Sequence, residues 1–488
     1  MRYISTRDNA APAMFAEAVN LGMVPAGGLF VPEYIPTINF ESLVNESYQK
    51  TAVATLTPFM DGFNKEEIEA CVNEAYTSES FGIPEVVRNV AVDDGRFHIL
   101  ELWHGPTAAF KDVALQIMPR FMQYSKAKCG DDVHTMILVA TSGDTGKAAL
   151  EGFKNQKGIS IVVFYPHGGV SEVQKLQMTT TDGANTRVVA VRGNFDDCQN
   201  GVKALFGDEA LINEAAKRGI KFSSANSINW GRLCPQIVYY VRSYLDLVNT
   251  KKISYGDDVD FCVPTGNFGN ILAGYYAKMM GLPIRKLICA SNRNNVLTDF
   301  FNSGIYDKNR EFHRTMSPSM DILISSNLER FLFEMSGRDA GKIVDLYDSL
   351  SQKGSFSVDA DMVKKMTAFI EGCWIDEQTV LETIGAIYRE HGYVMDTHTA
   401  VAVAAVQKSK TDVPVITAST ASPYKFSADV LKGLGIAAEG DEFESVEKLS
   451  HTGAGAVHRA IEGLKEKNVL HDRVIDILEM RETVRGFL

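Results

Sequence analysis

Apolar residues change their spacing twice along this chain, and the changes divide it. Over residues 1–84 they recur at helical intervals, in PAMFAEAVNLGM after Ala11, across 40–59 and across 65–76, with a Gly27-Gly28 turn after the first. A mostly helical N-terminal unit is therefore expected. Two strand-like runs follow, 85–92 and 97–102, joined by Asp93-Asp94-Gly95-Arg96, whose Asp-Gly step predicts a hairpin. From Thr135 short β-branched runs alternate with helical segments, at 136–140, 159–165, 187–191, 260–264, 287–290 and 413–417. These runs are apolar throughout instead of alternating, the pattern of parallel strands covered on both faces. The expected class is α/β, with mainly parallel sheets flanked by helices. Residues 291–395 interrupt the alternation with stretches such as LERFLFEMSG and are expected to form an inserted helical lobe within a two-lobed region over 85–488. The tail from Glu442 reads as helical.

Composition narrows the partners. With 61 acidic and 49 basic residues the net charge is -12, which disfavours nucleic acid and anionic membrane as partners. An anionic ligand must then be held by local features. No run reaches the length of a membrane span, and the opening MRYISTRDNAAPAM lacks an apolar signal segment. The seven cysteines form no CxxC pair and no Cys/His ligand spacing, so neither a disulfide framework nor a metal site is indicated. A cytoplasmic location and a small-molecule ligand are expected, with no obligate protein partner in evidence. At 488 residues the chain exceeds what one core usually supports.

Four loops and one lysine carry candidate chemistry. Lys111 follows a Gly-Pro turn, two alanines and Phe110, and Val113, Ala114, Ile117 and Met118 then recur at helical spacing. A lysine at the start of a core-facing helix is pushed toward the neutral, nucleophilic amine by partial burial and by the positive end of the helix dipole. The alternative is an ordinary lysine whose stem packs on apolar surface while its head reaches water. The loop TSGDTGKAAL, residues 141–150, follows a strand-like run and opens a helix, so Ser142, Gly143, Asp144 and Thr145 can expose N–H groups to an anion or simply cap the helix. PTGNFGNILAGYYAK, residues 264–278, repeats the strand, glycine loop and helix order; Gly266 and Gly269 permit close backbone approach, and the amides of Asn267, Phe268, Gly269 and Asn270 can encircle a phosphate. It is neither a GxGxxG fingerprint nor a P-loop. SSANSINWGRLCPQ, residues 223–236, crowds Asn226, Asn229 and Arg232 together, and Arg232 can fork onto a phosphate or carboxylate. The third small-residue loop, ASTASPYKF at 418–426, bears hydroxyls.

In order, HGPTAAFKD, ATSGDTGKAA, GGVSEVQKLQM, NSINWGR, VPTGNFGNILAGYYAK and TASPYKF resemble the threonine synthase family of the bacterial and fungal type, among the fold-type II pyridoxal-phosphate enzymes. ISTR and GLFVPE near the start match as well, so the resemblance spans nearly the whole chain. It implies pyridoxal 5'-phosphate as cofactor and the conversion of O-phospho-L-homoserine and water to L-threonine and phosphate, the last step of threonine biosynthesis. By motif position, Lys111 would bind the cofactor covalently and move protons, while the loop Gly266, Asn267, Phe268, Gly269, Asn270 would hold its phosphate. Asp144 would contact the ring hydroxyl, Thr420 would face the pyridine nitrogen, and Phe110 would pack near the ring. Ser142, Gly143, Thr145, Asn226, Asn229 and Arg232 would bind the substrate. The competing readings are a serine or threonine dehydratase-like lyase, which needs no second phosphate site, and a non-catalytic binder of phosphorylated small molecules, whose usual sign is loss of the lysine. A dinucleotide-dependent oxidoreductase lacks its glycine fingerprint here.

Overall fold

The computed structural model describes residues 1–93 and 95–488. Six strands form the larger sheet, in the order Ile370–Trp374, Ile284–Ser291, Val259–Pro264, Val415–Ser419, Phe97–Glu101 and Arg88–Val92. Neighbours run parallel except the last pair, where Val92 faces Phe97 across the expected hairpin. The turn uses Asp93 at φ 55° and Gly95 at φ 82°; Asp94 lies outside the described residues. Five parallel strands form the second sheet, in the order Val474–Asp476, Thr186–Arg192, Ile159–Pro166, His134–Ala140 and Ile220–Ser223.

Burial explains why the strand runs are apolar throughout. Along each central strand, successive side chains enter different cores: Phe261, Val263, Leu287 and Ile416 belong to one, and Cys262, Ile288 and Val415 to another. The second sheet behaves alike, with Ile137, Val139, Ile161 and Val163 joining that first core and Met136, Leu138, Val162 and Phe164 a third. One core is thus shared by both sheets, and a separate one covers the other face of each. The helix Lys111–Lys128 lies in the shared core, burying Val113, Leu115, Ile117, Phe121 and Met122.

The structure departs from the pattern where elements are short or at an edge. Ile220–Ser223, Ile370–Trp374 and Val474–Asp476 are edge strands only partly buried, so they carry no continuous apolar run. Ile370–Trp374 extends the larger sheet from within residues 291–395, which also hold the antiparallel pair Ile305–Asp307 and Ser355–Ser357. That stretch is therefore not purely helical, and neither is the tail, which supplies Val474–Asp476. In the N-terminal unit, Tyr3–Ser5 pairs with Phe30–Pro32. The helix expected over 40–59 is broken into Phe40–Leu43, Tyr48–Leu56 and Thr57–Phe59, because Asn45 takes φ 67° and the Ser47 side chain caps the middle segment.

One arginine fastens the N-terminal unit to the rest. Arg330 is fully buried and donates to the Phe30 carbonyl at 2.9 Å, the Ile228 carbonyl at 2.5 Å and Asn327 Oδ1 at 2.6 Å. Arg330→Met keeps the stem but leaves three buried acceptors unpaired, so the chain should lose about 3 kcal/mol or more of stability. A denaturant midpoint equal to that of the parent chain would show that these bonds are replaced by water.

Candidate active site

A cavity of about 560 Å3 opens at the carboxyl ends of strands from both sheets. Ala140 ends one strand and Thr141 follows it, Pro264 ends another that leads into 265–270, and Thr420 follows a third. Ligands of open α/β sheets bind in this position.

Lys111 begins its helix, and the loop before it is held under strain. Ala108 takes φ 61°, a left-handed conformation that a residue with a Cβ adopts reluctantly. Asp112 brackets the turn, accepting from the Thr107 amide at 2.8 Å and the Thr107 hydroxyl at 2.7 Å. Burial raises the Asp112 carboxyl to about 6, against those hydrogen bonds. A Cβ on Gly105 would fall 2.4 Å from the Asp112 Cβ, so only glycine fits there. Backbone bonds from Phe110 N to Thr420 O and from Ser422 N to Ala108 O zip this loop to the hydroxyl-bearing one. That pairing explains why Thr420 and Lys111 share a cavity.

With 12 % of its side chain exposed, the Lys111 amine is accessible yet largely desolvated. Its Nζ lies 3.7 Å from Asp144 Oδ2 and 4.7 Å from the Phe110 ring centre. Burial lowers its pKa to about 8; Asp144 opposes the shift, while Arg232 and Lys425 add to it. An amine so placed is neutral far more often near physiological pH than an ordinary lysine, and the neutral form is the one that reacts with an aldehyde.

Asp144 is not in the cavity wall but behind it. Its Oδ1 meets Lys425 Nζ at 2.5 Å and accepts from Gln174 Nε2 at 2.9 Å; its Oδ2 accepts from Ser319 Oγ at 3.3 Å. Burial would raise this carboxyl, but Lys425 and Lys111 outweigh it and hold it well below the usual carboxylate range. Lys425 itself is completely buried and also donates to the Thr107 carbonyl at 3.2 Å. Sequence reasoning passed it over, although a lysine inside the small and aromatic run SPYKF carries the same signal that singled out Lys111.

The glycine loop works differently from its expectation. The residue at positive φ is Phe268, at 63°, and its ring packs on Phe301 and Phe331. Gly269 is the first residue of the helix Gly269–Met279, has no positive φ, and an added Cβ would make only ordinary contact, 3.4 Å from Asn327 Nδ2. Gly266 is the constrained one: a Cβ there would lie 3.0 Å from the Ser319 carbonyl oxygen and 3.2 Å from Met320 Cα. No side chain caps the helix, which leaves first-turn N–H groups available. Asn270 Oδ1 accepts from the hydroxyls of Tyr239 and Tyr240, both at 2.7 Å, while its buried Nδ2 has no partner among the described residues. A donor oriented and left over in this way, beside an uncapped helix start, fits a phosphate such as that of pyridoxal phosphate. Gly266→Val should weaken pyridoxal-phosphate binding about tenfold or more by forcing the loop off Ser319 and Met320, whereas Gly269→Ala should leave it within about threefold. Equal affinities in a titration of the two variants would place the phosphate elsewhere.

Of the residues expected on the substrate side, Ser142, Thr145, Asn226 and Arg232 line the cavity. Arg232 donates to the Ala225 carbonyl at 3.0 Å and to Thr145 Oγ1 at 3.2 Å, and among the described residues no carboxylate forms an ion pair with it. Burial draws this guanidinium down to about 10. The buried Oδ1 of Asn226 likewise has no partner. Two expectations need correction. Asn229 is fully buried and caps the helix Trp230–Leu233, its Oδ1 accepting from Gly231 N and its Nδ2 donating to the carbonyls of Val19 and Ser224. It has nothing left for a ligand. Gly143 gives its N–H to Thr141 Oγ1, and at φ 132° it leaves room for Gln174; it shapes the turn without facing the cavity. The wall also includes His398, whose Nδ1 meets Asp396 Oδ2 at 2.8 Å and whose Nε2 accepts from Ser319 N at 3.1 Å. No short-range pattern could have placed it there.

Comparison with known proteins agrees along the whole length. Residues 2–76 match the family described as "Threonine synthase N terminus", 91–416 "Pyridoxal-phosphate dependent enzyme" and 399–452 "Threonine synthase, C-terminal". The chain is 40% identical over 443 residues to threonine synthase of Pseudomonas aeruginosa, covering 89% of this chain and 91% of that protein. It is 42% identical over 459 residues to human Threonine synthase-like 1, covering 89% of this chain and 61% of that longer protein. Among solved structures, PLP-bound threonine synthase from Brucella melitensis superposes with a TM-score of 0.87 at 36% identity, covering 100% of this chain and 99% of that one. The yeast threonine synthase structure gives 0.87 at 32% identity, covering 99% and 98%. Since the likeness includes N- and C-terminal segments described as those of threonine synthase, and extends at 40% identity over most of both chains, the chain belongs to the threonine synthase family.

Proposed function

We propose that this protein converts O-phospho-L-homoserine and water to L-threonine and phosphate with pyridoxal 5'-phosphate held at Lys111, as a cytoplasmic enzyme acting on a small molecule without nucleic acid, membrane or obligate protein partners. The observation that carries the reading is the presence of two separate anion-receptive features in one cavity. One is the uncapped helix start with Asn270 Nδ2; the other is the Arg232 guanidinium without a carboxylate. A cofactor phosphate uses the first. A substrate that carries its own phosphate gives a reason for the second. No helix among the described residues is long and apolar enough to cross a membrane.

When bound, pyridoxal phosphate supplies an electron sink for negative charge at the substrate's α and β carbons. The protein's own groups do the rest. Lys111, with a pKa near 8, can hold or release a proton under working conditions and so can take the Cα proton and return protons to the carbon skeleton. Thr420 offers a neutral hydroxyl to the ring nitrogen, which limits how strongly that nitrogen is protonated. Phe110 supplies an apolar face beside the amine. Ser142 and Thr145 orient the substrate carboxylate, while Arg232 and Asn226 bind its phosphate and stabilise the charge that develops as phosphate departs. Asp144, engaged with Lys425, acts on Lys111 instead of on the ring hydroxyl. Incubation of the purified chain with pyridoxal phosphate and O-phospho-L-homoserine should yield threonine and inorganic phosphate in equal amounts. Release of 2-oxobutanoate and ammonia as the main products would establish a dehydratase-like lyase instead.

A further inference from the structure

Two lysines approach one buried carboxylate: Lys425 Nζ at 2.5 Å from Asp144 Oδ1 and Lys111 Nζ at 3.7 Å from Asp144 Oδ2. The nearer lysine is the one that never reaches the cavity. Lys425 is 0 % exposed, sits in the turn after the strand Val415–Ser419, and is tied again to the Thr107 carbonyl in the loop preceding Lys111. The other groups around the Lys111 amine are the Arg232 guanidinium from the helix Trp230–Leu233 and the Phe110 ring; Asp112, next on its own helix, is turned toward Thr107, and His398 lines the same cavity paired with Asp396.

We propose that Lys425 is a positioning residue that keeps Lys111 in its neutral amine form, by giving Asp144 a permanent cation so that the carboxylate does not have to hold a proton on Lys111. The inference rests on Lys111 being the cofactor lysine. Its physical basis is charge counting in a buried site, where an uncompensated charge is the least favourable state. With Lys425 present, one cation and one carboxylate cancel, and the group is neutral when Lys111 carries no proton. Without Lys425, and with Arg232 left aside, the pair is neutral only when Lys111 is an ammonium facing Asp144. The same carboxylate therefore holds a proton on Lys111 less strongly with Lys425 present than without it. Arg232 contributes one further positive charge in both cases, which disfavours the ammonium throughout, yet removal of the Lys425 cation still makes a proton on Lys111 less unfavourable. Burial, with Arg232 and Lys425, already places the Lys111 amine near 8 in the intact protein.

The test reads the amine directly and does not depend on threonine formation. The full chain, stripped of cofactor, is treated with trinitrobenzenesulfonate across a pH series, and modification of the Lys111 peptide is followed by mass spectrometry. The midpoint should lie near 8 in the parent chain. Lys425→Met should move it up by about one pH unit or more, which is about fivefold slower labelling, or more, at the parent midpoint. Lys425→Arg should keep the parent value, since it retains the cation. The double variant Lys425→Met with Asp144→Asn should return the midpoint to the parent value or below, because the carboxylate that would hold the proton is gone. If Lys425→Met does not fold, Lys425→Gln is read in its place with the same rise expected; Asp144→Asn alone, which removes the carboxylate that both lysines share, should lower the Lys111 midpoint. A midpoint unchanged in folded Lys425→Met, with only thermal stability reduced, overturns the proposal and makes Lys425 a purely structural tie; so does an unchanged or raised midpoint in Asp144→Asn.

Discussion

Lys111→Ala should lower kcat/KM for threonine formation by about four orders of magnitude or more and leave the protein folded and at least as stable as the parent. The kinetic loss follows from removing both the covalent anchor of the cofactor and the group that handles protons at the substrate carbons. No neighbour can replace it: Lys425 is completely buried and ion-paired, and His398 already accepts a backbone N–H through Nε2. Stability should not fall, for two reasons. Alanine is the best helix former at the position that opens Lys111–Lys128. The substitution also removes a desolvated amine while leaving Asp144 paired with Lys425, so no buried charge is orphaned. Steady-state kinetics and thermal unfolding on the same preparation check both parts. A folded variant that still forms threonine at a comparable rate would remove Lys111 from the chemistry.

The second large effect is expected at Arg232. Arg232→Met should reduce kcat/KM about 100- to 1000-fold, equivalent to about 3–4 kcal/mol of lost transition-state stabilisation, with cofactor affinity nearly unchanged. Among the described residues the guanidinium has no carboxylate partner, so its removal leaves no unpaired acid there, only the Ala225 carbonyl and the Thr145 hydroxyl without a donor. Arg232→Lys should fall between the two, since it restores charge but not the planar fork that grips two oxygens at once. Loss of cofactor affinity with unaltered substrate kinetics would assign Arg232 to the cofactor's phosphate and not to the substrate's.

What could be read from the sequence follows from which interactions are local. Strands such as Val259–Pro264 are buried on both sides between separate cores, so every residue in them is constrained to be apolar and the run stands out. Loops that leave such strands are short and rich in small residues for their own local reasons, which is why Thr141 to Thr145 and Gly266 to Asn270 were visible as pairs of strand and helix start. Lys111 was visible because the residues around it are small and apolar. Asn229 shows the limit. In a loop dense with asparagines, nothing local distinguishes a side chain that faces a ligand from one that holds the Val19 and Ser224 carbonyls. Gly269 shows another: the left-handed turn is taken by Phe268, whose cost is met by packing against Phe301 and Phe331, residues far along the chain. For Lys425 the local run SPYKF marks a lysine among small and aromatic residues, but its role depends on Asp144 and Thr107, which reach it only by the docking of one loop on the other.

The arrangement is tested most directly by mapping where the cofactor is held. The full chain is mixed with pyridoxal 5'-phosphate, reduced with borohydride, digested, and searched for phosphopyridoxyl-modified peptides. A stoichiometric adduct on Lys111, absent from the Lys111→Ala variant, is the predicted result; an adduct on Lys425, or one spread over surface lysines with Lys111 unmodified, would contradict it.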